Sequence, residues 1–226
     1  MLHALAVGER ARAFKSVSPG MLPPLGIVFG QFVGFTAAQV WSDSGNASAA
    51  VDREASALRS VVLLAASFPG ESENHLRALV ANYIAEAKAQ EWPLMGRRAI
   101  TLTIVPHAVF EALQFTLSLQ PVGPGQQIAQ HEIRNALENA MDARRQRLTI
   151  SQFQVSPLKW GCLYLQAVCA LIAIAFVHSD NRLTMMLFAT GAAAAVLLIA
   201  ATDRPFIGEI SVSPNSLLQV LPAPGS

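Results

Sequence analysis

The stretch Leu22–Trp41, LPPLGIVFGQFVGFTAAQVW, contains no charged residue. About 20 helical residues rise roughly 30 Å, the thickness of the hydrocarbon core of a bilayer, so the stretch reads as a transmembrane helix. Gly26, Gly30, Gly34 and Ala38 recur every fourth residue and leave one face nearly bare backbone, a surface for close helix packing. Gln31 and Gln39 place amides inside the apolar span, and Phe29, Phe32 and Phe35 add bulk. A helix that only anchored a soluble domain would need none of these. The span is therefore expected to pack against other helices, with Phe29, Gln31, Phe32, Phe35 and Gln39 as candidates for lining a path or for packing.

Composition agrees with a membrane chain. Of 226 residues, 52% are hydrophobic and 14% charged, where a soluble domain averages about a quarter charged. Sixteen Lys and Arg against 15 Asp and Glu give no reason to expect nucleic acid or another strongly charged partner. Cys162 and Cys169 are seven residues apart on one apolar run, too far for a disulfide within a helix, and no Cys/His spacing suggests zinc. Residues 1–21 are not a secretory signal. Their apolar part, Leu2 to Val7, precedes Arg10, Arg12 and Lys15 instead of following them, and the segment reads as a short amphipathic helix at the membrane surface.

Ser42–Asn46 is a polar interval, a loop or a frayed helix. Ala47 to Phe68 reads as a helix with an apolar stripe through Val51, Ala55, Leu58 and Val62, and with Asp52, Arg53, Glu54 and Arg59 mostly off it. Ser72 caps a helix placed at Glu73 to Ala89, which Glu91-Trp92-Pro93 closes, because the residue before proline disfavours helix. Thr101–Ile104 alternates like a strand without a partner and is taken as irregular. Pro106 to Leu119 is helical, and a long helix runs from Gln126 toward Val155. Leu158–Val177 and Leu183–Ala201 are two further spans, joined tightly enough to form an antiparallel hairpin. Pro205 stops the last span, and Ser213-Pro214 predicts a capped short helix to Val220. The expected plan is all-α: an N-terminal segment (1–21), a span (22–41), a helical domain (42–157), two spans (158–177, 183–201) and a tail (202–226). Three spans put the domain and tail on one side. Seven basic residues near the spans on that side (Arg53, Arg59, Arg144, Arg145, Arg147, Lys159, Arg204) against four on the other (Arg10, Arg12, Lys15, Arg182) place the domain in the cytoplasm.

Four motifs carry a family resemblance: Val51-Asp52-Arg53-Glu54-Ala55, Glu91-Trp92-Pro93, Asp142-Ala143-Arg144-Arg145-Gln146-Arg147, and Asp203-Arg204-Pro205-Phe206-Ile207-Gly208-Glu209-Ile210-Ser211-Val212-Ser213-Pro214. In this order they resemble a bacterial bestrophin-like family of unknown function over roughly residues 22–221. The resemblance implies four membrane helices arranged as two pairs around a cytoplasmic helical domain. It also implies kinship with the bestrophins, pentameric anion channels whose second helix lines the pore with an apolar neck. The chain departs from that pattern in the family's first helix: either the start is truncated or misassigned, or this member works with three spans.

Carried onto Leu22–Trp41, the neck falls on Phe29, Phe32 and Phe35. Steps of three residues turn about 300° each, so the three fan over roughly 120°, broader than a single-file lining, and packing against lipid or helices competes with the pore role. The glycine ladder predicts a close neighbour, either the family's first helix or the hairpin. Asp52, Arg53 and Glu54 are expected to pair with Arg204 or to meet Arg144 beneath the membrane, as a gating cluster or a structural network. Glu91 and Trp92 form either an acid in an apolar pocket or a helix end with an anchoring ring. Asp203, Arg204, Pro205 and Phe206 form a hinge or a membrane-exit signal. The scattered histidines and serines form no enzyme site, and no cofactor or metal is expected. The leading expectation is a multi-pass protein of the bacterial inner membrane, in contact with lipid, homo-oligomeric and passing small anions. The alternative is a non-conducting scaffold or sensor whose helical domain binds a partner.

Overall fold

The computed structural model describes residues 22–97, 99, 106–177, 182–208 and 211–221. The N-terminal segment, the alternating Thr101–Ile104, Glu209 and the last five residues lie outside them. Among the described residues every regular element is helical: α1 (Leu22–Ala65), α2 (Glu71–Glu86), a π turn (Ala87–Glu91), α3 (Trp92–Gly96), α4 (His107–Ser118), α5 (Pro124–Ser151), α6 (Pro157–Val177), α7 (Arg182–Thr202) and α8 (Asn215–Leu218). Three helices, α1, α6 and α7, are long and apolar enough to cross a membrane.

α1 is continuous through Ser42–Asn46. Glycine and the short polar residues there cost helix propensity, about 1 kcal/mol for Gly45 and less for the others. No proline interrupts the ladder, and the turn that follows is held by Ala47, Ala50 and Val51, which are fully or almost fully buried.

The chain divides into two compact units, one ending α1 at Trp41 and adding Gln154–Asp203, the other comprising Ser42–Phe153 and the chain from Arg204. In the first unit, Phe29, Ala37 and Val40 of α1 form a buried cluster with Val155, Leu163, Ala192 and Ile199. The Phe29 and Phe188 rings lie 6.1 Å apart, tilted. At 100° per residue, Phe29, Val33, Thr36, Ala37 and Val40 occupy an arc of about 100°, which is the stripe that meets the α6–α7 hairpin.

In the second unit, Leu58, Val61, Leu76, Tyr83, Ile133, Leu137 and Leu148 build a core that the tail joins through Phe206, Leu217 and Val220. α2 begins two residues before its expected start, at Glu71. Its N-cap is Gly70 with φ +94°, a left-handed conformation that suits glycine, and no side chain caps it, so Ser72 lies inside the first turn. Glu91-Trp92-Pro93 does not end the helical path. The wider π turn absorbs the strain ahead of Pro93, which sits in the first turn of α3, where a missing N–H does no harm. α5 starts at Pro124 and ends at Ser151, short of Val155. The short tail helix is Asn215–Leu218 with Pro214 at its N-cap, so the expected Ser213 cap is not made.

Candidate functional site

Two places concentrate polar chemistry. The first is the outward face of α1. Gln31, Phe35 and Gln39, four residues apart, share an arc of about 80° roughly opposite the hairpin stripe, and all three are exposed on the protomer. Phe35 is 75% exposed. Phe29 is buried against the hairpin and Phe32 is half-buried there, so the three phenylalanines do not form one lining. Only Phe35 is turned outward. The amides diverge too. The Lys159 ammonium donates to Gln39 Oε1, while Gln31 makes no hydrogen bond among the described residues. Among the described residues the ladder is uncovered: a Cβ added at Gly26, Gly30 or Gly34 would meet nothing within 4 Å, and Ala38 is exposed. The hairpin takes the neighbouring stripe of α1 and leaves this one open.

The second place is a buried ion cluster in the other unit. Glu54 and Arg147 have side chains with no exposed surface. Arg147 Nε donates to Glu54 Oε2 at 2.7 Å, and its Nη2 donates to Glu54 Oε1 at 3.0 Å and to Glu91 Oε2 at 2.7 Å. Its Nη1 lies 3.3 Å from Met95 Sδ, and its guanidinium carbon is 4.7 Å from the Trp92 ring centroid. Arg144 Nε donates to Glu91 Oε1 at 2.7 Å. The Tyr83 hydroxyl donates to Glu54 Oε1. Two guanidiniums face two carboxylates, so the cluster is neutral, as burial in low dielectric demands.

Helix phase explains the partners. Arg144 and Arg147 lie seven residues beyond the buried Leu137 and Ala140 on α5. Glu54 lies three residues after Val51 and four before Leu58, inside the apolar stripe rather than off it. The π turn, which adds a residue to the turn, faces Glu91 inward. Burial holds the Tyr83 phenol protonated well above its ordinary value, assisted by the Glu54 carboxylate and opposed by Arg147. Burial alone would weaken the hold of Arg147 on its proton, but Glu54 overcomes this and raises it. Tyr83 and Arg147 therefore both keep their protons at neutral pH. No grouping of side chains suited to a metal ion occurs among the described residues.

Consecutive charges in the motifs separate. Asp52 accepts from Ser216 Oγ at 2.6 Å, and Arg53 donates to Gln146 Oε1 at 2.6 Å, both at the surface. The expected pairing of Asp52, Arg53 and Glu54 with Arg204 or Arg144 is not made: Glu54 turns inward to Arg147, and Arg204 is exposed without an ion pair among the described residues. Arg145 and Asp142 form an exposed pair at 3.1 Å. Asp203 Oδ1 accepts the Val155 N–H at 2.7 Å. Pro205 and Phe206 are buried, with the Phe206 ring edge-on to Trp92 at 6.0 Å, and Trp92 Nε1 donates to the Val212 carbonyl at 3.2 Å. Gly208 adopts φ +96°, a turn that a side chain would strain. Glu91 is thus neither an acid in an apolar pocket nor a plain helix end, and Trp92 is the dock for the tail. Tyr83, Met95 and Lys159 were not singled out from the sequence. Tyr83 lies among the buried apolar residues of α2, beside Leu79, Val80 and Ile84, where a phenol signals a hydrogen-bond partner in the core.

The Bestrophin-like domain profile matches residues 1–217. Two crystal structures of a bacterial bestrophin homolog from Klebsiella pneumoniae, each carrying one point mutation to threonine, share the fold. One has a TM-score of 0.71 at 14% identity over 89% of this chain and 85% of that one. The other has a TM-score of 0.70 at 15% identity over 89% and 84%. No curated protein matches the chain. With its profile covering nearly the whole length and its helices following the bestrophin arrangement, this chain belongs to the bestrophin-like family.

Proposed function

We propose that the chain is the subunit of a homo-oligomeric anion channel of the bacterial inner membrane, with α1, α6 and α7 in the bilayer and the second unit in the cytoplasm. The observation that carries this reading is the outward face of α1. Gln31, Phe35 and Gln39 form an exposed stripe that its own hairpin reaches only through Lys159 at Gln39, beside a glycine ladder open to a neighbour. Copies packed around an axis would turn those stripes toward a common path, with Phe35 as the narrow apolar ring. Bestrophins are anion channels with an apolar neck on the corresponding helix, which agrees with this assignment. The buried ion cluster belongs to the scaffold. The purified protein in liposomes is expected to pass chloride, and Phe35→Ala to raise the flux. Leak-level flux across a correctly inserted oligomer would refute the reading.

A second reading has one observation in its favour. Phe110 and Leu117, seven residues apart on one face of α4, are 50% and 62% exposed. A non-conducting scaffold would use such a face to hold a partner. It predicts no flux and a co-purifying protein lost when both residues become aspartate.

A further inference from the structure

We propose that Gln39 and Lys159 form a binding site for a singly charged anion at the end of the first span. The proposal uses the membrane placement of the reading above and does not require conduction.

Lysine can only donate hydrogen bonds. Its contact with Gln39 therefore fixes the amide: Oε1 faces the ammonium, and the NH2 group is the end left to project. Gln39 is exposed, and its NH2 makes no hydrogen bond among the described residues. Lys159 is half-buried and forms no salt bridge within 4 Å among the described residues. Asp203, in the same unit, is turned to the Val155 N–H. One ammonium with two donors to spare and one oriented amide with two thus stand together at the edge of an apolar region. A partly desolvated charge there is costly without a counter-charge. An anion of charge one balances it, and every group offered is a donor. The pair sits on the stripe of Phe35 and Gln31, so an ion held here lies on the face assigned to the path.

A free halide and a lipid phosphodiester share this chemistry. Two tryptophans provide the probe. Trp41 is two residues beyond Gln39, and Trp160 follows Lys159, stacked on Tyr164 at 5.7 Å. The full-length protein in a non-ionic detergent is titrated with iodide, which quenches indole emission, at constant ionic strength in gluconate. Quenching is expected to contain a saturable component, lost in Lys159→Met and Gln39→Leu and kept in Lys159→Arg. Displacement by chloride assigns the site to a free ion, and displacement by phosphatidylglycerol micelles alone assigns it to a headgroup. Linear quenching, the same in wild type and Lys159→Met, would overturn the site even in a protein that conducts. A saturable component in a protein without flux would keep the site and remove the channel.

Discussion

Replacing Arg147 by methionine tests the ion cluster. The change removes three charge-assisted hydrogen bonds and the cation over Trp92. Glu91 keeps Arg144 as a partner, but Glu54 keeps only the Tyr83 hydroxyl, so one buried carboxylate is left without a counter-charge. Breaking a buried pair on one side costs about 3–5 kcal/mol. In a domain of this size each kcal/mol moves the midpoint by roughly 2–4 °C, so a fall of about 6–20 °C is expected. The assay is thermal unfolding in detergent followed by tryptophan emission at one scan rate, with Trp92 reporting directly on the cluster. The double change Glu54→Leu with Arg147→Met removes both charges together and should recover part of the loss, since apolar replacement of a buried pair is often near neutral. A midpoint within about 2 °C of wild type for Arg147→Met would refute the reasoning. So would a double variant as damaged as the sum of the singles.

Three further outcomes follow from the same geometry. Tyr83 binds its proton more tightly when folded than when unfolded, so stability is level below its ordinary value of 10.0 and falls as pH rises past it. Tyr83→Phe should abolish that alkaline slope in a denaturation series and cost about 1–3 kcal/mol at neutral pH through the donor lost from Glu54; an unchanged slope assigns the titration elsewhere. Phe29→Ala should lower the thermal midpoint, because the ring packs on Phe188, whereas Phe35→Ala should leave it in place; equal losses would contradict the two-faced reading of α1. At Gly30 a Cβ meets no atom within 4 Å, so for Gly30→Leu the monomer fold should survive while the oligomer fails on size-exclusion chromatography; an intact oligomer would mean that the ladder faces lipid.

Much of the helical architecture was legible because long runs without charge announce long apolar helices. The apolar runs at 22–41, 158–177 and 183–201 lie within helices of the structure, with ends shifted by one residue at Pro157, Arg182 and Thr202 where the hairpin helices begin or end. The continuity through Ser42–Asn46 was not legible, because local propensity there favours a break and packing of the next turn decides otherwise. The cluster was half legible. The motifs marked Glu54, Glu91, Arg144 and Arg147, but adjacency in sequence suggested that Asp52, Arg53 and Glu54 act together. Successive helical residues point about 100° apart, so one enters the core and its neighbours reach solvent. Counting from Val51 and Leu58 would have found the inward one. The division of Phe29, Phe32 and Phe35 between two faces needed the position of the hairpin, which no periodicity supplies.

The π turn at Ala87–Glu91 acts as a phase shifter between two helical segments. A helix that ran regularly from Glu71 to Gly96 would carry everything after Glu86 around by about one residue's angle, some 100°. Glu91, Trp92 and Met95 would then rotate off Arg147 together, and the tail would lose its aromatic dock. Inserting a single alanine there should accordingly be worse than any substitution in the same five residues, because it mis-times the whole downstream face, whereas removing one would close the turn to a regular α-helix with that face kept. Length in this short segment, more than side-chain identity, is what the cluster depends on.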